Sequence, residues 1–348
     1  MLGRAVRRRG TGGCHVGHQF DQRGDQVVGE GRTALDRKAQ LVGLGAVARS
    51  LVVEFLVMAV VLVVRPWGLM GRPQGASRHG GALEAPMRPA EPLFLAAVAV
   101  LLLGLAALPA LTAQSPYTVV LVIDLLIAAL FATSLHFIMG PAGLHSFGHA
   151  AYFGLGAYAA ALLVRQLQLP MEIALLTAPI AAAAGAFIVG WFSVRLSGVY
   201  LAMLTLAFAQ IAWAIVFQWD AFTGGSNGLT GVWPAPWLAD KRAYYYLSLV
   251  LVVASVLILR RMLFSPFGYA MRASRDSMLR ADAIGIDVKR VHWVAFIIAG
   301  LFAGLAGALF AFSKGSISPE SLHVGRSVDG LVMVLLGGLN AIAGPLLG

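Results

Sequence analysis

"TVVLVIDLLIAALFATSLHFIM", residues 118–139, carries one formally charged side chain, Asp124, and is long enough to cross a bilayer core. Just beyond it comes "GLHSFGHAAYFGLGAY", residues 143–158, with four glycines, two histidines and no Lys, Arg, Asp or Glu. The second stretch puts flexible and polar residues where its flanks require lipid. A catalytic centre, a metal site and a transport route are the three readings it admits.

Composition narrows them. The 348 residues are 59% hydrophobic and 12% charged, with a mean hydropathy of +0.79. Soluble globular chains run near 45–50% apolar and about 25% charged, so this is a membrane protein. Apolar runs are expected to span at 93–111, 118–139, 147–164, 171–192, 199–217, 244–262, 291–312 and 328–347. That makes an all-α, polytopic membrane protein of about eight transmembrane helices.

The net charge of +10 is not a nucleic-acid signature. Beyond residue 92 its excess sits in one loop, where residues 260–290 hold seven basic and three acidic residues. A basic loop between spans marks the cytoplasmic side. Alternation then places 218–243 outside. Cys14, the one cysteine, excludes an internal disulfide or a thiolate metal cluster.

Ahead of the spans, residues 1–50 read as a disordered, basic and Gly-rich extension. Residues 51–92 read as a short apolar segment, interrupted by Glu54, plus a Pro/Gly/Arg linker. Residues 93–348 form the membrane domain, with its large cytoplasmic loop at 263–290.

Each motif has a plain reading beside a functional one. His145 and His149 share a helix face, but the third and fourth ligands of a zinc site are missing nearby. A histidine hydrogen-bonded at a helix interface or cavity wall is the better reading. Glycines and alanines around Gly154 and Gly156, and the GxxxG-spaced Gly300, Gly304 and Gly307, suit close helix packing in lipid. Gly140, Pro141 and Gly143 permit a helix break opening onto a water-lined cavity. Asp124 should face protein or water rather than lipid. Ser146, Gly148, His149, Gly154 and Gly156 join it as candidates for the transport route and the packing around it. "TGGSNGLTG" at 223–231 lacks the lysine of a phosphate loop. The loop "SPFGYAMRASRDSMLRADAIGIDVKR", residues 265–290, reads as one short amphipathic helix ending near Gly285. Its mixed charges favour docking a partner over lying on anionic lipid. Taken alone, these residues leave a subunit powered by a separate ATPase and an ion-gradient-driven secondary transporter of small amino acids both open. A membrane-embedded enzyme lacks a convincing nucleophile, base or metal cluster.

"GLHSFGHAAYFGLGAY", "SGVYLAMLTLAFAQ", "TGGSNGL", "SPFGYAMRASRDSMLRADAIGID" and "LVMVLLGGLNAIAGPLLG" stand in the order found in the LivM-type permeases of branched-chain amino acid ABC transporters, which residues 90–348 resemble. The resemblance implies a multi-pass permease of the bacterial inner membrane that carries branched-chain amino acids, or urea and short amides. It also implies a LivH-type partner permease, two cytoplasmic ATPase subunits that hold the ATP and Mg, and a periplasmic binding protein. No cofactor, metal, nucleic acid or enzymatic step is expected for this chain. The stretch "RADAIG" resembles the coupling loop that meets the ATPase, with Asp282 where glutamate is usual. Arg272, Arg275, Arg280, Asp282, Ala283 and Gly285 are the expected coupling residues. Gly148 and His149 match the family's "GHA", whereas His145 and Asp124 are less typical of it. The chain ends at a "GPLLG" that the family normally follows with more residues. "VEFLVMAVVLVVRPWGLMGRP", residues 53–73, resembles the tail of the partner permease, which makes Met87 the expected native start.

Overall fold

The computed structural model describes residues 53, 55–61, 92–111, 116–339 and 344. The extension at 1–50, the linker, the start at Met87 and most of the tail beyond 339 lie outside the described residues. Within the short apolar run, residues 55–61 are helical.

Apolar sequence becomes helix because a backbone in lipid has no water to bond and must satisfy itself. The long helices are α1 (Pro92–Leu111), α2 (Pro116–Met139), α3 (His149–Gln166), α4 (Met171–Ser193), α5 (Val199–Gln218) and α6 (Lys241–Leu263). Two short helices, α7 (Pro266–Asp276) and α8 (Met278–Ala283), lead into α9 (Val288–Lys314), and α10 (Val324–Gly337) follows. Five of these are long and apolar enough to cross a membrane: α2, α4, α5, α6 and α9. The all-α, multi-pass expectation holds, with five membrane-long helices among the described residues where about eight were expected; α1, α3 and α10 are not among the five.

Boundaries follow the expected spans closely except at the end. Instead of a span over 328–347, α10 begins one turn earlier and stops at Gly337. Its 14 residues cover roughly 21 Å at 1.5 Å per residue, short of a hydrocarbon core of about 30 Å. Gly338, at φ +91°, takes the chain out of the helix.

α9 is the spine, packed on α2, α3 and α4. Lipid gives helices no hydrophobic reason to associate, so close backbone approach must supply the attraction. Small residues permit it here. A Cβ on Gly304 would lie 2.3 Å from that of Ala182 in α4, and one on Gly156 in α3 would lie 2.2 Å from the Gly304 carbonyl oxygen. Polar ties complete the bundle. Pro109 has no N–H to offer the carbonyl of Leu105 one turn back, and the Tyr245 hydroxyl donates to that oxygen at 2.6 Å. Tyr244 donates to the Leu309 carbonyl at 2.6 Å, joining α6 to α9.

The two ends of the bundle differ. At one end, β1 (Leu229–Thr230) pairs antiparallel with β2 (Ser316–Ile317), Leu229 opposite Ile317, and stitches two loops together. At the other end lie α7, α8 and the non-helical residues 140–148 between α2 and α3. The break expected at Gly140–Gly143 is therefore present.

Candidate functional site

A cavity of about 1180 Å³ opens at the β1–β2 end. Phe131 of α2, Phe153 of α3, Trp213 of α5 and Phe310 of α9 form its apolar wall. Its polar groups come from the stitched loops and from the start of α10: Asn227, Glu320, His323, Arg326 and Asp329. Lys314, the last residue of α9, is at the rim and holds Asp124 of α2 at 2.6 Å. The second Asp124 oxygen is buried and accepts no bond among the described residues.

Arg326 is the least expected member. Its guanidinium carbon lies 4.1 Å from the ring centre of Phe153 and 4.4 Å from that of Phe310. Ring faces hold a cation electrostatically without taking a conventional hydrogen bond from it. Asp329 and Asp124 are the acids whose charge reaches it.

The histidine expected at an interface or cavity wall stands just behind that wall. His149 is fully buried, with its ring 5.3 Å from Phe131 and edge-on to Tyr152 at 5.7 Å. Its Nε2 lies 2.8 Å from Ser134 Oγ, and that hydroxyl already donates to the Phe131 carbonyl at 2.7 Å. A hydroxyl has one hydrogen, so in this geometry Nε2–H donates to Ser134 Oγ. Ser274 repeats the arrangement. It donates to the Met271 carbonyl at 2.6 Å and accepts from His292 Nε2 at 2.8 Å, pinning α7 to α9.

The other route candidates are not among the residues that line this cavity. Ser146 is buried with no partner for its hydroxyl among the described residues. Gly148 precedes α3, where a Cβ would meet the Thr205 carbonyl oxygen at 2.2 Å. Gly154 lies against Leu322 and Gly156 against Gly304. Asp124 reaches the cavity only through Lys314. Sequence reasoning missed Lys314, Arg326, Asp329, Glu320, His323 and Trp213. The available signal was the pair of charges in "HVGRSVDG", residues 323–330, just ahead of an apolar run.

At the opposite end, the single amphipathic helix expected over 265–285 is two. Ser277 takes an extended conformation (φ −164°, ψ 109°), and its Oγ caps α8 by accepting from the Arg280 N–H at 3.3 Å. A serine that bonds the backbone locally ends one helix and begins the next. The C-terminus of α8 is closed as expected. Gly285 sits at φ +89°, its N–H donates to the Asp282 carbonyl at 2.9 Å, and the Ile286 N–H donates to that of Ala281 at 3.0 Å. This double bond is a Schellman cap.

The expected coupling residues divide into two groups. Arg280, Asp282, Ala283 and Gly285 are exposed at the tip of α8. Two apolar neighbours, Leu279 and Ile284, are each 74% exposed. Arg272 and Arg275 instead turn inward. Arg272 donates to the Leu263 carbonyl and lies over the rings of Tyr269 and Phe264. Arg275 donates to the Gly140 carbonyl at 2.7 Å, and its stem lies against Gly143. It therefore ties the α7–α8 pair to the break that leads into α3. Among the described residues no three of His, Cys, Asp and Glu gather as a metal site would require.

Residues 117–348 match the family model described as the permease component of the branched-chain amino acid transport system. The chain is 32% identical over 244 residues to the high-affinity branched-chain amino acid transport system permease protein LivM of Escherichia coli K12, covering 62% of this chain and 57% of that one. It is 31% identical to the Salmonella typhimurium LivM over the same shares. A probable branched-chain amino acid transport permease protein LivH of Methanocaldococcus jannaschii is 29% identical over 103 residues, 30% of this chain and 31% of that one. The chain thus spans less than two thirds of the length of the LivM proteins it matches. No solved structure matches it.

Proposed function

The chain belongs to the branched-chain amino acid transport system permease family, and from that premise we propose that it is one membrane subunit of an ABC importer. In this reading it passes branched-chain amino acids, or related small amides and urea, across the bacterial inner membrane. A LivH-type permease completes the pathway, and a periplasmic binding protein delivers substrate. Two cytoplasmic ATPase subunits hydrolyse ATP, so this chain transports and does not itself hydrolyse.

The observation that carries the reading is the tip of α8. Leu279 and Ile284 stand exposed beside Arg280 and Asp282. Apolar side chains rimmed by both signs of charge suit a protein partner, whereas acids at the tip weaken attraction to anionic lipid. The cavity lies at the far end of the same bundle, where a delivered substrate would enter.

The test is uptake of labelled leucine into vesicles holding the chain with its partner permease, ATPases and binding protein. Uptake is expected to need ATP inside the ATPase compartment. Uptake without ATP, driven by a proton or sodium gradient, would refute the reading in favour of a secondary transporter.

A further inference from the structure

We infer that Arg326 receives the carboxylate of a zwitterionic substrate in the cavity, and that the neighbouring acids receive its ammonium group. This rests on the transport reading above and goes further, because it separates amino acids from the neutral amides and urea that reading leaves open.

Three observations converge. First, the guanidinium carbon lies over the ring of Phe153 at 4.1 Å and that of Phe310 at 4.4 Å, and its side chain makes no hydrogen bond or ion pair among the described residues. Arginine is a planar fork, and these ring contacts take none of its N–H donors in a conventional hydrogen bond, so a carboxylate can meet them in two parallel bonds. Second, the charges around it are separated rather than absent. Lys314 is already taken by Asp124 at 2.6 Å, which leaves Arg326 the cation open to a ligand. Asp329, three residues on in α10, lines the same cavity and makes no ion pair within 4.0 Å among the described residues. A cation and an acid about one turn apart on α10, both lining the cavity and not joined to each other, match the two poles of an α-amino acid. Third, the surrounding wall of Phe131, Trp213 and Phe310 is apolar and suits an aliphatic side chain.

Neutral ligands fare worse in such a site. A urea or amide brings no charge to either pole, so entering it would strip water from Arg326 and Asp329 without replacing the lost interaction. A site built for a charged group rejects analogues that lack it for this reason. An anion without an ammonium group would satisfy Arg326 and leave Asp329 facing it.

The experiment uses the assembled transporter and Arg326→Met, which keeps the apolar stem over the rings, and Arg326→Lys, which keeps the charge without the fork. Two readouts are needed. Saturation-transfer NMR on the complex without its binding protein reports leucine and leucinamide at the membrane subunits alone. ATP-dependent leucine uptake with the binding protein present reports transport. The wild type is expected to bind leucine and not leucinamide. Arg326→Met should weaken leucine binding and uptake at least tenfold while the subunits still co-purify, and Arg326→Lys should fall between. Equal binding of leucine and leucinamide by the wild type, or undiminished leucine binding by either variant, would overturn the assignment. If Arg326→Met fails to assemble, Arg326→Lys decides the matter on the same readouts. A wild type that shows no ATP-dependent uptake fails the transport reading instead, and the binding comparison still judges Arg326.

Discussion

Replacing Arg275 with methionine separates a docking residue from a transmitting one. The substitution keeps most of the stem that lies against Gly143 and removes the 2.7 Å bond from Arg275 to the Gly140 carbonyl. A hydrogen bond from a charged donor contributes about 1.5–3 kcal/mol. The Arg275 side chain is 25% exposed, so water screens part of that and the lower figure applies. About 1.5 kcal/mol is roughly a tenfold shift in how often the α7–α8 pair is tied to the break before α3. Arg275 points away from the exposed tip, so ATPase attachment should be retained. The expected result is normal co-purification of the ATPase, with leucine transported per ATP hydrolysed down several-fold to about tenfold. The assay measures both fluxes in the same vesicles. An unchanged ratio would refute the tie as a transmission element, and loss of the ATPase would return Arg275 to the docking surface.

Gly285→Val should weaken ATPase co-purification while leaving the membrane bundle intact. The position needs φ +89° but has open space around it, so the cost is conformational, about 1–2 kcal/mol, and local to the tip. Gly156→Val should do the opposite and reduce folded protein in a detergent melting or size-exclusion assay. Its Cβ would lie 2.2 Å from a backbone oxygen that cannot swing aside, and overpacking of this kind costs about 1–3 kcal/mol or more. Asp124→Asn should shift the melting temperature little, because the Lys314–Asp124 pair is about a third exposed and such pairs contribute roughly 0–1 kcal/mol. Unfolding of that variant would show a larger structural role.

The spans were legible because a bilayer enforces one simple rule, a run of apolar residues that satisfies its own backbone. The break at 140–148 and the small-residue contacts of Gly156 and Gly304 were legible for a related reason: glycine is costly unless a bend or a close approach needs it. The cavity was not legible. Trp213 stands about a hundred residues ahead of Lys314 and Arg326, and nothing local says which face each of the three presents. The split at Ser277 was hidden too, since a serine on a helical pattern bonds water as readily as the next turn's backbone. The inward turn of Arg272 and Arg275 likewise depends on which carbonyls lie within reach, Leu263 and Gly140, and the second of these is 135 residues away.

Leu322, from the loop joined at β2, packs against Gly154, twelve residues before the far end of α3. At 1.5 Å per residue the loop therefore descends roughly 18 Å alongside α3 before α10 begins. Non-helical backbone at that depth is tolerated only where it is buried in protein or lines a water-filled cavity, and residues 318–321 line the cavity. The vestibule above Arg326 is thus the wet end of the bundle, and a seal against leakage has to form below it, nearer the fully buried His149 and Tyr152.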